Sequence, residues 1–125
     1  MLLDIVSIAS GNNPIIPDRI YRRPAPLVYS SRVYFFTGHD EDNSTTYTMK
    51  NWLLFSSEDM ANWKHHGSPM DLNTFSWADA NAWAGQVIAR NGNFYSYAPV
   101  RNGTTNGMAI GVGVSDSIVA HTWTL

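Results

Sequence analysis

An all-β fold made of two copies of one four-strand unit is predicted by three observations. Short runs rich in Val, Ile, Tyr, Phe and Trp alternate with turn-forming residues along most of the chain. No segment of useful length carries apolar residues at helical spacing, so helix contributes little. The second half also repeats the first at an offset of about 60 residues.

The clearest unit is AWAGQVIARNGNFYSY, Ala82 to Tyr97. Two strands, Gln86–Ala89 and Asn93–Tyr97, flank Arg90-Asn91-Gly92, and Asn-Gly tolerates the positive φ that a type I′ hairpin turn demands. Ahead of it, Gly11 to Pro26 holds four of the six prolines, which predicts an extended entry segment over residues 1–24. Strands follow at Ala25–Tyr29 and Val33–Thr37 around a Ser30-Ser31 turn, then at Trp52–Ser56 and, briefly, Trp63–His66. Asp71–Ala82 reads as a connector, after which Met108–Val114 and Thr122–Trp123 complete the second copy.

In the repeat, Leu27-Val28 aligns with Val87-Ile88 and Val33-Tyr34 with Phe94-Tyr95. Ser57-Glu58-Asp59 likewise aligns with Ser115-Asp116-Ser117, and Trp63 with Trp123. A four-strand antiparallel unit with a Ser/acidic turn before its last strand is the pattern of a β-propeller blade. Blade one is expected over about 25–68 and blade two over about 80–125, within one partial propeller at 25–125. The competing reading is a β-sandwich of two similar meanders. Two blades alone would leave two wide apolar faces open, which predicts self-association and a chain that forms the N-terminal part of a longer fold.

Composition excludes several classes. Apolar residues make up 44% and charged residues 14%, too apolar and too little charged for disorder. A net charge of −2 offers no basic footprint for nucleic acid or membrane. Cysteine is absent, which removes disulfides, Cys-zinc sites and thiol catalysis. The opening MLLDIVSIASG lacks a basic start and is interrupted by Asp4, which argues against a signal peptide. The sequons Asn43-Ser44-Thr45 and Asn102-Gly103-Thr104 pull weakly the other way, toward an extracellular protein.

The string NPIIPDRIYRRPAPLV, followed in order by RVYFFTGHDED, YTMKNWLLFSSEDMANWKHHG, FSWADANAWAGQVIARNGNFY and MAIGVGVSDS, resembles the N-terminal two blades of glycoside hydrolase family 43. The resemblance implies an incomplete five-bladed propeller and an inverting attack on a glycosidic bond in a funnel at the axis. It also implies arabinose- or xylose-containing carbohydrate as partner, no cofactor in this chain, and a structural calcium ion as an option only in the complete family fold.

Inverting hydrolysis needs two carboxyl groups on opposite sides of the sugar, one for water and one for the leaving oxygen. The resemblance puts the base in an Ala-Asp-Pro tripeptide, where this chain reads Tyr21-Arg22-Arg23-Pro24. Arg23 either replaces the aspartate or adjoins a lost residue, and a guanidinium does not deprotonate in proteins. The remaining family carboxylates fall beyond Leu125, so no catalytic residue is assignable. Asp18 would have to shift into the axis to substitute, and it reads as a turn residue.

Sugar binding is more legible. Pentose C–H faces stack on indoles while hydroxyls need amide or carboxylate partners. Trp83 and Gln86 supply that pair, Trp77 extends it, and Asp79 beside them is a candidate hydroxyl partner whose bland reading is a capping or solvated aspartate. The resemblance places His39 and Asp40 near the funnel rim, while Asp40, Glu41 and Asp42 otherwise form a solvated acidic loop lacking EF-hand spacing. Trp52, Trp63 and Trp123 are expected in the core. His65-His66 fails as a metal pair, because neighbours on a strand face opposite ways. Three functions compete on these residues: a glycosidase piece, a non-catalytic sugar-binding pseudoenzyme, and a propeller used as a protein-interaction platform.

Overall fold

A computed structural model describes residues 21–41, 43–46, 48–120 and 123–125, with the backbone alone for 21–23. The expected entry segment lies outside the described residues except for its last four, which already belong to a strand. Two antiparallel sheets pack face to face. The first contains β1 (Tyr21–Tyr29), β2 (Arg32–Asp40), β3 (Met49–Ser57), β4 (Lys64–His65) and β5 (Met70–Asp71). The order is β1-β2-β3-β4, with β5 also on β3, so β4 and β5 are two pieces of one outer strand. The second contains β6 (Ala78–Ala80), β7 (Gln86–Arg90), β8 (Asn93–Asn102) and β9 (Met108–Ser115), ordered β6-β8-β7 with β9 on the free side of β8.

Both predicted hairpin turns are type I′ by sign of φ. Asn91 and Gly92 sit at 51° and 76°, and Ser30 and Ser31 at 52° and 60°. Serine is a costlier occupant of that region than glycine, so the first turn is imposed by the pairing of β1 with β2. Strand β1 starts earlier than the sequence predicts, at Tyr21. Its prolines are tolerated because it is an edge strand, and a bulge sets Arg23 and Pro24 opposite the single residue Thr37.

The second sheet's outer strand differs from expectation. Thr122 lies outside the described residues, and what pairs with β9 is a single bridge from Thr124 to Val114. The short β6, read from sequence as connector, pairs instead with the end of β8. The connector's other feature is a 3₁₀ turn at Leu72–Thr74, closed by a capping box between Asp71 and Thr74.

One apolar core joins the sheets. Phe36, Trp52 and Leu54 from the first sheet meet Val87, Phe94, Ala98 and Val100 from the second. Met70, Phe75 and Trp123 fill the seam between them. Phe75 is fully buried and stands edge-on to Trp52 at 6.2 Å, while Trp123 does the same to Phe36 at 5.5 Å. Space for this comes from β9. A Cβ on Gly111 would lie 2.6 Å from the Phe75 ring, and one on Gly113 2.6 Å from the Met70 sulfur. The backbone amide of Trp123 donates to the Pro69 carbonyl at 3.1 Å, tying the second sheet's outer edge to the first. A smaller cluster of Leu53, Phe55, Phe35 and Trp63 covers the opposite face of the first sheet, with Phe35 and Trp63 stacked at 4.5 Å.

Candidate sugar-binding rim

Five segments distant in sequence meet at one end of the two sheets. Tyr21 at the start of β1 pairs with His39 at the end of β2, and Asp40 pairs with Met49 at the start of β3. The Met49 carbonyl accepts the Ala82 amide at 3.0 Å, which brings in the loop before β7. The Trp83 amide donates to the Pro99 carbonyl at 3.1 Å, which brings in the far end of β8. This end therefore gathers the start of β1 with 39–40, 49–51, 77–86 and 99–102.

Trp83 is the prominent side chain here. Its loop turns on Asn81 at φ 60°, whose carbonyl accepts the Trp83 amide at 2.8 Å. Ala82 is fully buried and anchors the loop, and the Trp52 indole donates to the Trp83 carbonyl at 2.8 Å. Gly85 then lets β7 approach β8, since a Cβ there would stand 2.8 Å from the Tyr97 carbonyl. With its backbone held at both ends, Trp83 keeps 44% of its surface exposed. Gln86 follows as the exposed first residue of β7, opposite Tyr97.

The other predicted residues divide. Asp79 is exposed on β6, and its Oδ2 lies 3.4 Å from Arg101 Nη2, which also donates to Asn106 Oδ1 at 2.9 Å. Trp77 is half-buried, tilted against Phe75 at 5.5 Å, and its carbonyl accepts the Gly103 amide at 2.9 Å. It leans on the core more than it lines an opening. His39 and Asp40 are buried, at 8% and 6%. His39 Nδ1 lies 3.2 Å from Asn51 Oδ1, and Asp40 Oδ1 accepts the Thr48 amide at 3.1 Å. Both therefore hold the base of the β2–β3 loop beneath the rim. Arg23 is placed by its backbone alone, inside the β1 bulge.

Arg101, Asn51 and the carbonyl-holding role of Trp52 were not read from the sequence. A lone cation at the end of an otherwise apolar strand, YAPVRN, was the available signal for Arg101. Trp52 and Trp123 are core residues as expected, at 3% and 1% exposure, and Trp63 is half-buried against Phe35. His65 and His66 do separate: His65 stacks on Phe55 at 4.7 Å, and His66 Nε2 lies 2.6 Å from Ser56 Oγ. Desolvation, with Lys64, Arg32 and His65 nearby, lowers the pKa of His66 below the ordinary histidine value. Among the described residues no group of three or more Asp, Glu or His side chains is gathered as metal ligands.

Two blade-like sheets stacked on a common seam, with an aromatic rim at one end, define a piece of a β-propeller. Residues 12–125 match the model of glycosyl hydrolases family 43, and the chain belongs to that family. It is 28% identical over 111 residues to a xylosidase/arabinosidase from Bacteroides ovatus, covering 82% of this chain and 34% of that protein. The chain thus spans about a third of the length of such relatives. Among solved structures it resembles a family 43 β-xylosidase/α-arabinofuranosidase from a compost metagenome, crystallised with xylotriose, at a TM-score of 0.84 and 24% identity. That match covers 93% of this chain and 37% of the other. An α-L-arabinofuranosidase from Clostridium thermocellum is similar at a TM-score of 0.66 and 32% identity, over 89% of this chain and 36% of the other. These are two blades of an incomplete five-bladed propeller.

Proposed function

We propose that this chain forms the first, substrate-facing third of a glycoside hydrolase that cleaves O-glycosidic bonds in xylose- or arabinose-containing polysaccharides with inversion. Relatives that carry both activities in their names support the substrate class. The single observation that carries the binding role is Trp83, an indole left exposed on a loop whose backbone is fixed from two sides. Its face takes the C–H face of a pentose, while Gln86 and the Asp79–Arg101 pair offer hydroxyl partners around it.

The reaction needs a base and an acid that this chain does not supply. By the family resemblance Arg23 occupies or adjoins the place of the base aspartate, and arginine takes no proton. The 125-residue chain therefore binds sugar without hydrolysing it. Arg23 also favours a second reading, a pseudoenzyme that keeps the aromatic rim and has lost catalysis. Titration with xylotriose, followed by tryptophan fluorescence, tests the binding role. Trp83→Ala is expected to weaken binding by roughly tenfold or more, as for loss of a stacking partner and its buried area. Affinity unchanged in Trp83→Ala rejects this rim. Turnover of an aryl xyloside that scales with the purified chain rejects the inactivity, and activity in a longer natural form that retains Arg23 rejects the pseudoenzyme reading.

A further inference from the structure

The chain holds three Asn-Gly pairs, at 91–92, 102–103 and 106–107. In such a pair the glycine nitrogen can attack the asparagine side-chain carbonyl, because no Cβ on the glycine hinders its approach. The attack needs a nitrogen not held elsewhere and a donor for the oxygen as it gains charge. The three pairs meet these needs differently.

At Asn102-Gly103 the oxygen has donors, since Asn102 Oδ1 accepts the Thr104 and Thr105 amides at 2.8 and 3.2 Å. The nitrogen is occupied, because the Gly103 amide donates to the Trp77 carbonyl at 2.9 Å. At Asn91-Gly92, exposed on the β7–β8 turn, the balance is reversed. No described residue holds the Gly92 amide, and none donates to the Asn91 side chain. Only Asn106-Gly107 has both. Its loop is exposed between β8 and β9, and the Gly107 amide has just a long contact of 3.4 Å to Thr105 Oγ1. Arg101 Nη2 donates to Asn106 Oδ1 at 2.9 Å, a charged donor on the oxygen that must take up negative charge.

We propose that Asn106 is a site of self-modification, at which the Gly107 nitrogen displaces ammonia and leaves an acidic residue, with Arg101 as the oxyanion donor. Hydroxide from solvent takes the Gly107 amide proton. The nitrogen bonds to Asn106 Cγ, and the displaced electron pair rests on Oδ1 beside the guanidinium. Collapse expels the side-chain nitrogen, which takes a proton from water, regenerates hydroxide and leaves as ammonia. Water then opens the cyclic imide at either carbonyl, giving aspartate, or isoaspartate when the main chain runs through Cγ. Both products put a carboxylate against a guanidinium whose other partner is Asp79 Oδ2 at 3.4 Å. The new charge competes with Asp79 for Arg101, so this end of the sheets changes its ion pair with age. The proposal stands on the fold and is independent of the sugar-binding reading.

The purified chain, held at mildly alkaline pH and sampled over time, is digested and mapped by mass spectrometry, with isoaspartate detected by enzymatic methylation. Acid is expected at 106 first, at 91 more slowly and at 102 last. Arg101→Met, which keeps the aliphatic stem and removes the donor, is expected to slow conversion at 106 roughly tenfold or more and to leave 91 unchanged. Asp79→Asn, which leaves the guanidinium to Asn106, is expected to hasten it. In denaturant, where these partners are lost, the three pairs should convert alike, a readout that holds whether or not either variant folds. The proposal is overturned if 91 or 102 converts ahead of 106 in the folded chain. It is overturned equally if Arg101→Met converts at 106 as fast as the unaltered chain, or if the folded order persists in denaturant.

Discussion

The two sheets follow one plan with opposite choices of residue size. When Val33 opposite Ser57 is matched to Phe94 opposite Ser115, Leu53 and Phe55 in the first sheet correspond to Gly111 and Gly113 in the second. The first sheet thus presents Trp52, Leu54 and Phe36 toward its neighbour. The second meets them with glycine, and Phe75 and Met70 fill what the glycines leave. The lesson is that neighbouring copies of a repeat are complementary in volume. Similar pattern and equal side chains would have left the seam overfilled.

Breaking that complementarity from the filled side should have the largest effect. Phe75→Ala removes a fully buried ring from the seam and is expected to cost about 3–5 kcal/mol in denaturant unfolding. Filling the glycine side comes next. Gly111→Ala forces a methyl into the Phe75 ring and is expected to cost about 1–3 kcal/mol. The same change at exposed Gly107, whose Cβ would meet only Thr105 Oγ1 at 3.7 Å, serves as its control. A seam that absorbs Gly111→Ala without loss would mean that the tight fit is not what unites the sheets.

The smallest effect sharpens the comparison at the turns before the outer strands. Asp59 accepts the Ala61 and Asn62 amides at 2.9 and 2.8 Å and the Asn62 side chain at 2.7 Å. At the equivalent place Ser117 donates its amide to Ser115 Oγ at 3.1 Å, and its carbonyl accepts from the same hydroxyl at 2.8 Å. Hydrogen bonds from Asn62 first, then Ala61 and Ser57, hold the Asp59 pKa well below the ordinary carboxylate range. A depressed carboxylate pKa contributes stability above its unfolded value of about 4, and that contribution is lost as pH falls below it. Asp59→Asn should flatten the acid limb of thermal stability, while Ser117→Ala leaves that limb unchanged. An unaltered limb in Asp59→Asn would remove the carboxylate from the account.

Much of the fold was legible because hairpins are local. Asn91-Gly92 and the strand runs around it specify β7 and β8 by turn chemistry and alternation alone, and the Ser/acidic turns marked the repeat. Strand ends were less visible. Strand β1 reaches back through Pro24 because its edge position asks nothing of that missing N–H, and edge position is a property of the assembled sheet. Strand β6 is three residues long and exists by pairing with the end of β8. At the rim, composition pointed to Trp83, but burial could not be read from it. His39 and Asp40 looked like surface polar residues and are buried, His39 against Asn51 and Asp40 as acceptor of the Thr48 amide, partners that come together only when β2 pairs with β3.

The hydrogen bond from the Trp52 indole to the Trp83 carbonyl crosses from the interior of one sheet to the loop that leads into the other. Thermodynamic reciprocity then applies: a ligand that binds the Trp83 loop better with this bond formed than broken stabilises the union of the sheets by the same factor by which that union raises its affinity.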